Sequence, residues 1–189
     1  NSFNEVNYSL NYEVMFRSTS NLFATVNANK VKLLFPVSFT GSTPIPVNKY
    51  SYYNAGLGYE SDARKFLSFA VNANAGTFYN GTNIQLGASI TIRSQPHLNV
   101  SLEAEYNKLH FPDPYGETEL FLIAPRVDFN FSTKLFWTTF LQYNTQQNNF
   151  NINSRFQWRY KPMSDLFLVY TDNYYSNPFL KNKNRAIVF

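Results

Sequence analysis

The side chains best able to do chemistry are few. The chain has two histidines, His97 and His110, and no cysteine. His97 stands in a Gln95-Pro96-His97 turn, and His110 opens a Leu109-His110-Phe111-Pro112 loop. Neither has further ligands at metal-binding spacing. Neither has an acidic partner on its own strand face, as a nucleophile–base–acid relay requires. His110, Asp113 and Glu117 are the one set that could gather at a loop rim. Glu103 and Glu105 lie two apart, so on a strand they share a face and could serve as general acid and base. That face also offers them a simpler use. Arg93 on the preceding strand and Arg126 with Asp128 on the following one can neutralise both in a cross-strand ladder. Arg155 and Arg159 extend this mixed-sign lining, as do Glu5, Glu13, Arg17, Lys30 and Lys32. The residues predict a charge ladder in a non-enzymatic protein, with no catalytic set, no cofactor and no metal.

Composition sets what must position the ladder. Of 189 residues, 44% are hydrophobic, 19% aromatic and only 15% charged, against about 25% charged in soluble domains. The mean hydropathy is nonetheless −0.34, and no run approaches the roughly 20 apolar residues of a membrane helix. Nineteen Phe and fourteen Tyr exclude disorder. Abundant Asn opposes long helices, because its side chain competes for nearby backbone groups. The net charge is +4, but the 16 Lys and Arg are scattered singly, so no phosphate-tracking surface forms and nucleic acid is not an expected partner. The chain begins at Asn1 in a strand pattern, without a methionine or signal peptide, and reads as a processed product or a piece of something longer.

Alternation with period two dominates the chain. One face of the first segment carries Val6, Tyr8, Leu10, Tyr12, Val14 and Phe16; the other carries Asn7, Ser9, Asn11 and Glu13. Ile84, Leu86, Ala88, Ile90 and Ile92 likewise oppose Gln85, Gly87, Ser89, Thr91 and Arg93. The pattern predicts eleven strands, at 4–17, 21–38, 49–60, 64–74, 83–94, 97–108, 118–132, 135–146, 149–160, 165–173 and 184–189. Most are long enough, at nine to eleven residues or more, to cross a bilayer when tilted. Short turns at 18–20, 61–63, 94–97, 133–134 and 161–165 alternate with longer connections at 40–48, 75–82, 109–117 and 173–183; 145–148 is the short exception. Tyr and Trp near strand ends (Tyr12, Tyr59, Tyr106, Trp137, Tyr143, Trp158, Tyr160) fit interfacial girdles. A soluble sandwich or lipocalin-like barrel would carry charge on its outer face. Here the polar face is mostly neutral amide and hydroxyl, which suits a wet lumen.

The expected fold is therefore all-β: an antiparallel transmembrane β-barrel of the outer-membrane type, with the bacterial outer membrane as its location and the lipid bilayer as its partner. Short turns on the periplasmic side would put Asn1 outside and bring Phe189 down to the periplasm. Bacterial barrels have even strand numbers, and an open edge leaves unpaired amides in lipid. Residues 1–189 thus read as the C-terminal part of a larger barrel, closed by missing strands of the same protein or by a partner barrel or lipoprotein.

From about Pro46 onward several stretches carry a family resemblance: Gly76-Thr77-Phe78-Tyr79-Asn80-Gly81, Leu141-Gln142-Tyr143-Asn144, the run from Asn153 to Pro162 through Phe156-Gln157-Trp158-Arg159-Tyr160, Ser164-Asp165-Leu166-Phe167-Leu168-Val169-Tyr170, and Asn184-Arg185-Ala186-Ile187-Val188-Phe189. Together they resemble the C-terminal outer-membrane barrel of an uncharacterised bacteroidete family, whose longer members carry an N-terminal carbohydrate-binding-like (family nine) sandwich. The resemblance implies a membrane anchor or pore, linked through such a sandwich to glycan handling at the surface. The sandwich has no counterpart in these residues, so sugar binding passes to none of them. Two other assignments fit the same pattern: the distal barrel strands of a TonB-dependent transporter, and an accessory barrel subunit of a secretion or uptake complex.

Overall fold

A computed structural model describes residues 4–146, 148–178 and 180–189. Its strands are β1 Glu5–Met15, β2 Asn21–Lys32, β3 Lys49–Glu60, β4 Leu67–Phe78, β5 Gly81–Ser94, β6 Leu98–His110, β7 Glu117–Ser132, β8 Leu135–Asn144, β9 Asn149–Lys161, β10 Ser164–Tyr175 and β11 Lys181–Val188. They form one eleven-stranded antiparallel sheet in simple chain order, with β1 and β11 at its two ends. No helix occurs among the described residues. The placement of Asn1 lies outside the described residues.

The registers join like to like across the strands. In β1–β4, Leu10 faces Val26, Val26 faces Ala55 and Ala55 faces Ala75, while one residue along Ser9, Asn27, Asn54 and Gly76 follow one another. In β7–β10, Phe129, Trp137, Phe156 and Leu168 form a second apolar row. A slip of one residue would carry every side chain to the opposite face, so these rows fix the register.

All eleven expected strands are present, but several expected boundaries shift. β2 stops at Lys32 instead of running to 38. Beyond it, residues 33–48 fold back on themselves: the Leu33 amide donates to Asn48 O at 2.9 Å, and Val37 and Ile45 pair. Pro36, Pro44 and Pro46 cannot donate to a ladder, which favours a loop there. The stretch 75–82 is not a long connection. β4 continues to Phe78 and β5 starts at Gly81, leaving only Tyr79 and Asn80 between them. Tyr79 sits at φ 52°, a left-handed conformation that bulky residues seldom adopt. Ring packing holds it there, as described below. The connections expected at 109–117 and 173–183 contract to 111–116 and 176–180 for the same reason: the strands pair further than their polarity pattern runs.

The chain divides into two compact units. The first comprises Asn1–Asp62, Ala70–Gly87 and Tyr106–Leu120; the second comprises Ala63–Phe69, Ala88–Glu105 and Phe121–Phe189. The first unit holds a buried apolar cluster of Leu33, Ile45, Tyr50 and Phe111, with Phe39, Tyr52, Phe78, Tyr79, Leu109 and Tyr115 packed around it. The second has a polar centre on Asp172, whose side chain is fully buried.

Candidate functional site

The polarity of the sheet is reversed along β3–β5, and large apolar side chains are exposed on other strands as well. Leu57, Phe69, Val71, Leu86, Ile90, Leu166 and Leu168 are all exposed. Among the described residues only Leu33, Ile45, Tyr50, Phe111 and Ala124 are buried hydrophobics, while Ser20, Asp62, Ser68 and Asp172 are buried polar groups. β4 displays the rule on one strand: Leu67, Phe69 and Val71 are exposed, and Ser68 between them is buried. A sheet folding in water does the opposite, because covering apolar surface drives its folding.

The polar face is built to use its amides. Asn7 donates to Asn29 Oδ1 at 2.5 Å and Asn27 to Asn54 Oδ1 at 2.8 Å. In the second unit Asn151 donates to Asn173 Oδ1, and Asn173 donates onward to Asn184 Oδ1, making a three-strand amide chain. Glycine leaves room for side chains to lie flat across neighbouring strands. A Cβ at Gly58 would stand inside the ring of Phe23, and one at Gly87 would meet the Asn72 amide. Cross-strand pairs of this kind are the stabilising unit of a sheet.

The charged residues on this face pair more locally than the expected ladder. Arg126 makes a two-pronged contact with Asp128 two residues along its own strand, with Nε–Oδ2 at 2.9 Å and Nη2–Oδ1 at 3.0 Å. Thr138 on β8 and Asn99 on β6 also donate to Asp128, at 2.9 and 3.4 Å. Arg159 pairs with Asp165 across the β9–β10 turn at 3.1 Å. Arg93 donates to the Ala63 carbonyl, and the Arg155 guanidinium lies 5.9 Å from the Phe167 ring centre. Glu103 and Glu105 are exposed and make no ion pair among the described residues. Their neutralisation by Arg93 and Arg126 is therefore not how the charges are arranged. Each arginine has an acceptor or ring closer at hand.

The two histidines lie apart in function as in sequence. His97 Nδ1 is 3.0 Å from Asn130 O, and Asn130 Nδ2 donates to Pro96 O at 2.9 Å, so this ring braces a turn. His110 does meet Glu117, with Nδ1–Oε2 at 3.3 Å across the β6–β7 hairpin. Lys108 joins them, 2.7 Å from Glu119 and 4.0 Å from Glu117. Asp113, in the intervening loop, makes no ion pair with them. His110 and Glu117 are both more than half exposed, and no nucleophile approaches the pair among the described contacts, so the geometry is that of a surface ion pair. Among the described residues no group of three or more potential ligands could hold a metal ion.

Near the end of the first unit where loops 33–48 and 111–116 lie, the two faces exchange character. Lys30, Lys32, Lys49, Lys108, His110, Glu117 and Glu119 continue the parity of the apolar face; Tyr50, Tyr52, Phe78, Leu109 and Phe111 continue that of the polar face. The rings interlock. Phe39 from the loop is 5.2 Å from Phe78, 5.2 Å from Tyr79 and 6.0 Å from Phe111, and Tyr79 is 5.2 Å from Tyr50. Ile45 is 1% exposed and Phe111 2%. The loop is tied down by Thr40, whose hydroxyl donates to Tyr115 O at 2.5 Å. Burial, and secondarily the Glu5 carboxylate, push the Tyr79 hydroxyl above its ordinary pKa.

Sequence reasoning passed over one cluster. Asp172 lies on the apolar-face parity of β10, between Tyr170 and Tyr174. Its carboxylate accepts from Tyr170 Oη at 2.7 Å, Tyr174 Oη at 2.6 Å, Asn182 Nδ2 at 2.8 Å and Arg185 Nε at 2.7 Å. The available signal was a lone carboxylate inside the row Leu166, Leu168, Tyr170, Asp172, Tyr174. Such a residue needs partners, and the neighbouring strand supplies Arg185 directly opposite. Comparison with family models, curated proteins and solved structures yields no match for this chain.

Proposed function

We propose that the chain forms the wall of an outer-membrane β-barrel, with its apolar face against lipid, and that it acts as a membrane anchor and not as an enzyme. The observation that carries this reading is the reversed polarity of the sheet together with its return to ordinary polarity at one end. Lipid tolerates exposed Leu and Ile, and it requires every backbone amide to be paired, which a closed sheet alone provides for strands. The dimensions agree. Ile84 to Ile92 spans eight steps, or about 26 Å at roughly 3.3 Å each, and Phe121 to Phe131 spans ten, about 33 Å. At a tilt of about 40° these project to roughly 20–25 Å, close to the apolar band of such barrels.

An anchor is favoured over an open pore by loop 33–48, which packs Phe39 and Ile45 onto the aromatic end of the polar face. The family resemblance points the same way, because its barrel carries a surface module. The two tryptophans make the reading testable. Trp137 and Trp158 share the apolar face and are both more than one-third exposed. After reconstitution in phosphatidylcholine vesicles, lipids brominated along the acyl chain should quench most of the tryptophan emission. Emission at the wavelength of exposed indole, unaffected by any brominated lipid, would overturn the membrane assignment.

A further inference from the structure

We infer that Lys30, Lys32 and Lys49 form a docking site for a phosphate-bearing lipid headgroup at the loop-side edge of the apolar face. The inference rests on the membrane reading above and adds a specific ligand chemistry to it. Lys32 stands directly opposite Lys49 in the β2–β3 register, and Lys30 lies on the same face one pair further along, opposite Ser51. Like charges placed directly across a strand pair repel and destabilise it. Nothing among the described residues offsets this: no carboxylate there pairs with any of the three, and Glu5, the nearest acid in the register, faces Val31 on the other side of the sheet.

Two comparisons sharpen the point. At the corresponding end of β6–β7, in the same unit, Lys108 and His110 are matched by Glu119 and Glu117 at 2.7 and 3.3 Å. The lysine triplet thus differs from the paired charges at the β6–β7 end. Nor does it guard an edge, the usual task of lysine in a sheet, because β2 and β3 are each paired on both sides. What lies below the triplet is the exposed apolar surface of Val26, Leu57 and Tyr53, and the chain just after Lys32 exposes Leu34 and Phe35. Three unneutralised ammonium groups where an acyl-facing surface meets water suit an amphiphile with a phosphorylated head. The phosphate would sit among the ammonium groups and its chains along the apolar rows.

The test is binding of lipid A, and separately of phosphatidylglycerol, to the protein in phosphatidylcholine nanodiscs, read by native mass spectrometry. The variants are the triple K30Q/K32Q/K49Q and a control, K161Q/K181Q, on lysines elsewhere. Wild type and control should retain at least one phosphorylated lipid, and the triple variant should bind it about tenfold or more weakly. Inorganic phosphate at the same concentration should not compete. Equal retention by the triple variant, loss equal to that in the control, or competition by inorganic phosphate would overturn the lipid site while leaving the membrane reading intact. Failure of every variant to enter nanodiscs of any composition would instead bring down the membrane reading, and this site with it. Circular dichroism of the triple variant checks that its sheet is intact; removing mutual repulsion should leave it at least as stable as wild type.

Discussion

Two adjacent residues of β5 separate a membrane wall from a water-exposed sheet. Ile90 lies on the apolar face and is 40% exposed, and Ser89 lies on the polar face and is less so. The apolar row Ile84–Ile92 has Ala88 at its centre, so Ile90 is two residues, about 6–7 Å along the strand, or roughly 5 Å in depth, from the midplane. Arginine near the midplane of such a wall costs about 2–4 kcal/mol, a factor of roughly 30 to 900 in the folding equilibrium. On the polar face an arginine joins amides, hydroxyls and existing arginines, and its cost should stay below about 1 kcal/mol. Ile90→Arg should therefore lose at least about 1 kcal/mol more than Ser89→Arg in urea titrations of the liposome-reconstituted protein, and Leu86→Arg should behave like Ile90→Arg. A soluble sheet demands the reverse order, because an arginine at 40%-exposed Ile90 would be solvated and one at the more buried Ser89 would not. Equal costs, or Ser89→Arg the worse of the two, would refute the face assignment.

Other outcomes follow from the same contacts. Phe111→Ala empties the centre of the aromatic cluster at a site 2% exposed and should cost about 3–5 kcal/mol by denaturant titration; a loss under 1 kcal/mol would mean that loop 33–48 is not held by these rings. Replacing Glu103 and Glu105 together by Gln should change stability by no more than about 0.5 kcal/mol, since neither is paired, whereas Asp172→Asn should clearly lower the thermal midpoint by weakening four hydrogen bonds. A larger loss for the glutamate pair would restore the cross-strand ladder. Gly58→Ala must displace the Phe23 ring and should cost about 1–3 kcal/mol, visible as a shifted unfolding midpoint with an unchanged slope.

Eleven strands and their faces were legible because period two is a local property, carried by neighbours such as Ser89 and Ile90. Partner choice was not. Arg126 takes Asp128 two residues away, and Arg159 takes Asp165 across a turn; both are closer than the cross-strand glutamates that charge sign alone suggested. The Tyr79 turn was hidden for a different reason. Asn80-Gly81 is an ordinary turn signal, but the chain turns one residue earlier, with Tyr79 at positive φ, because ring packing outweighs the local backbone preference. Asp172 was hidden because its four partners come from its own strand and the next, and a sequence gives no distances.

The exchange of faces at the loop end was written in the sequence as a change of phase. In β2, Leu22, Ala24, Val26 and Ala28 hold one parity, and then Val31, with Leu33 just past the strand, holds the other; in β3, Tyr50 and Tyr52 precede a row of opposite parity at Tyr53, Ala55, Leu57 and Tyr59. Such a slip has two physical causes. A β-bulge inserts a residue and rotates the following side chains to the other face, leaving the environment of each face unchanged. Alternatively the backbone runs on and the surroundings change. The β1–β2 and β2–β3 registers continue without a shift through the phase change, unlike β10–β11, where the register slips between Asn173 and Tyr174. The second cause therefore applies. One face leaves an environment that accepts exposed Leu and Val and enters one that demands Lys, while the opposite face passes from amides to buried rings. On the proposed membrane reading, an uninterrupted strand crossing from lipid to water meets both conditions at one height.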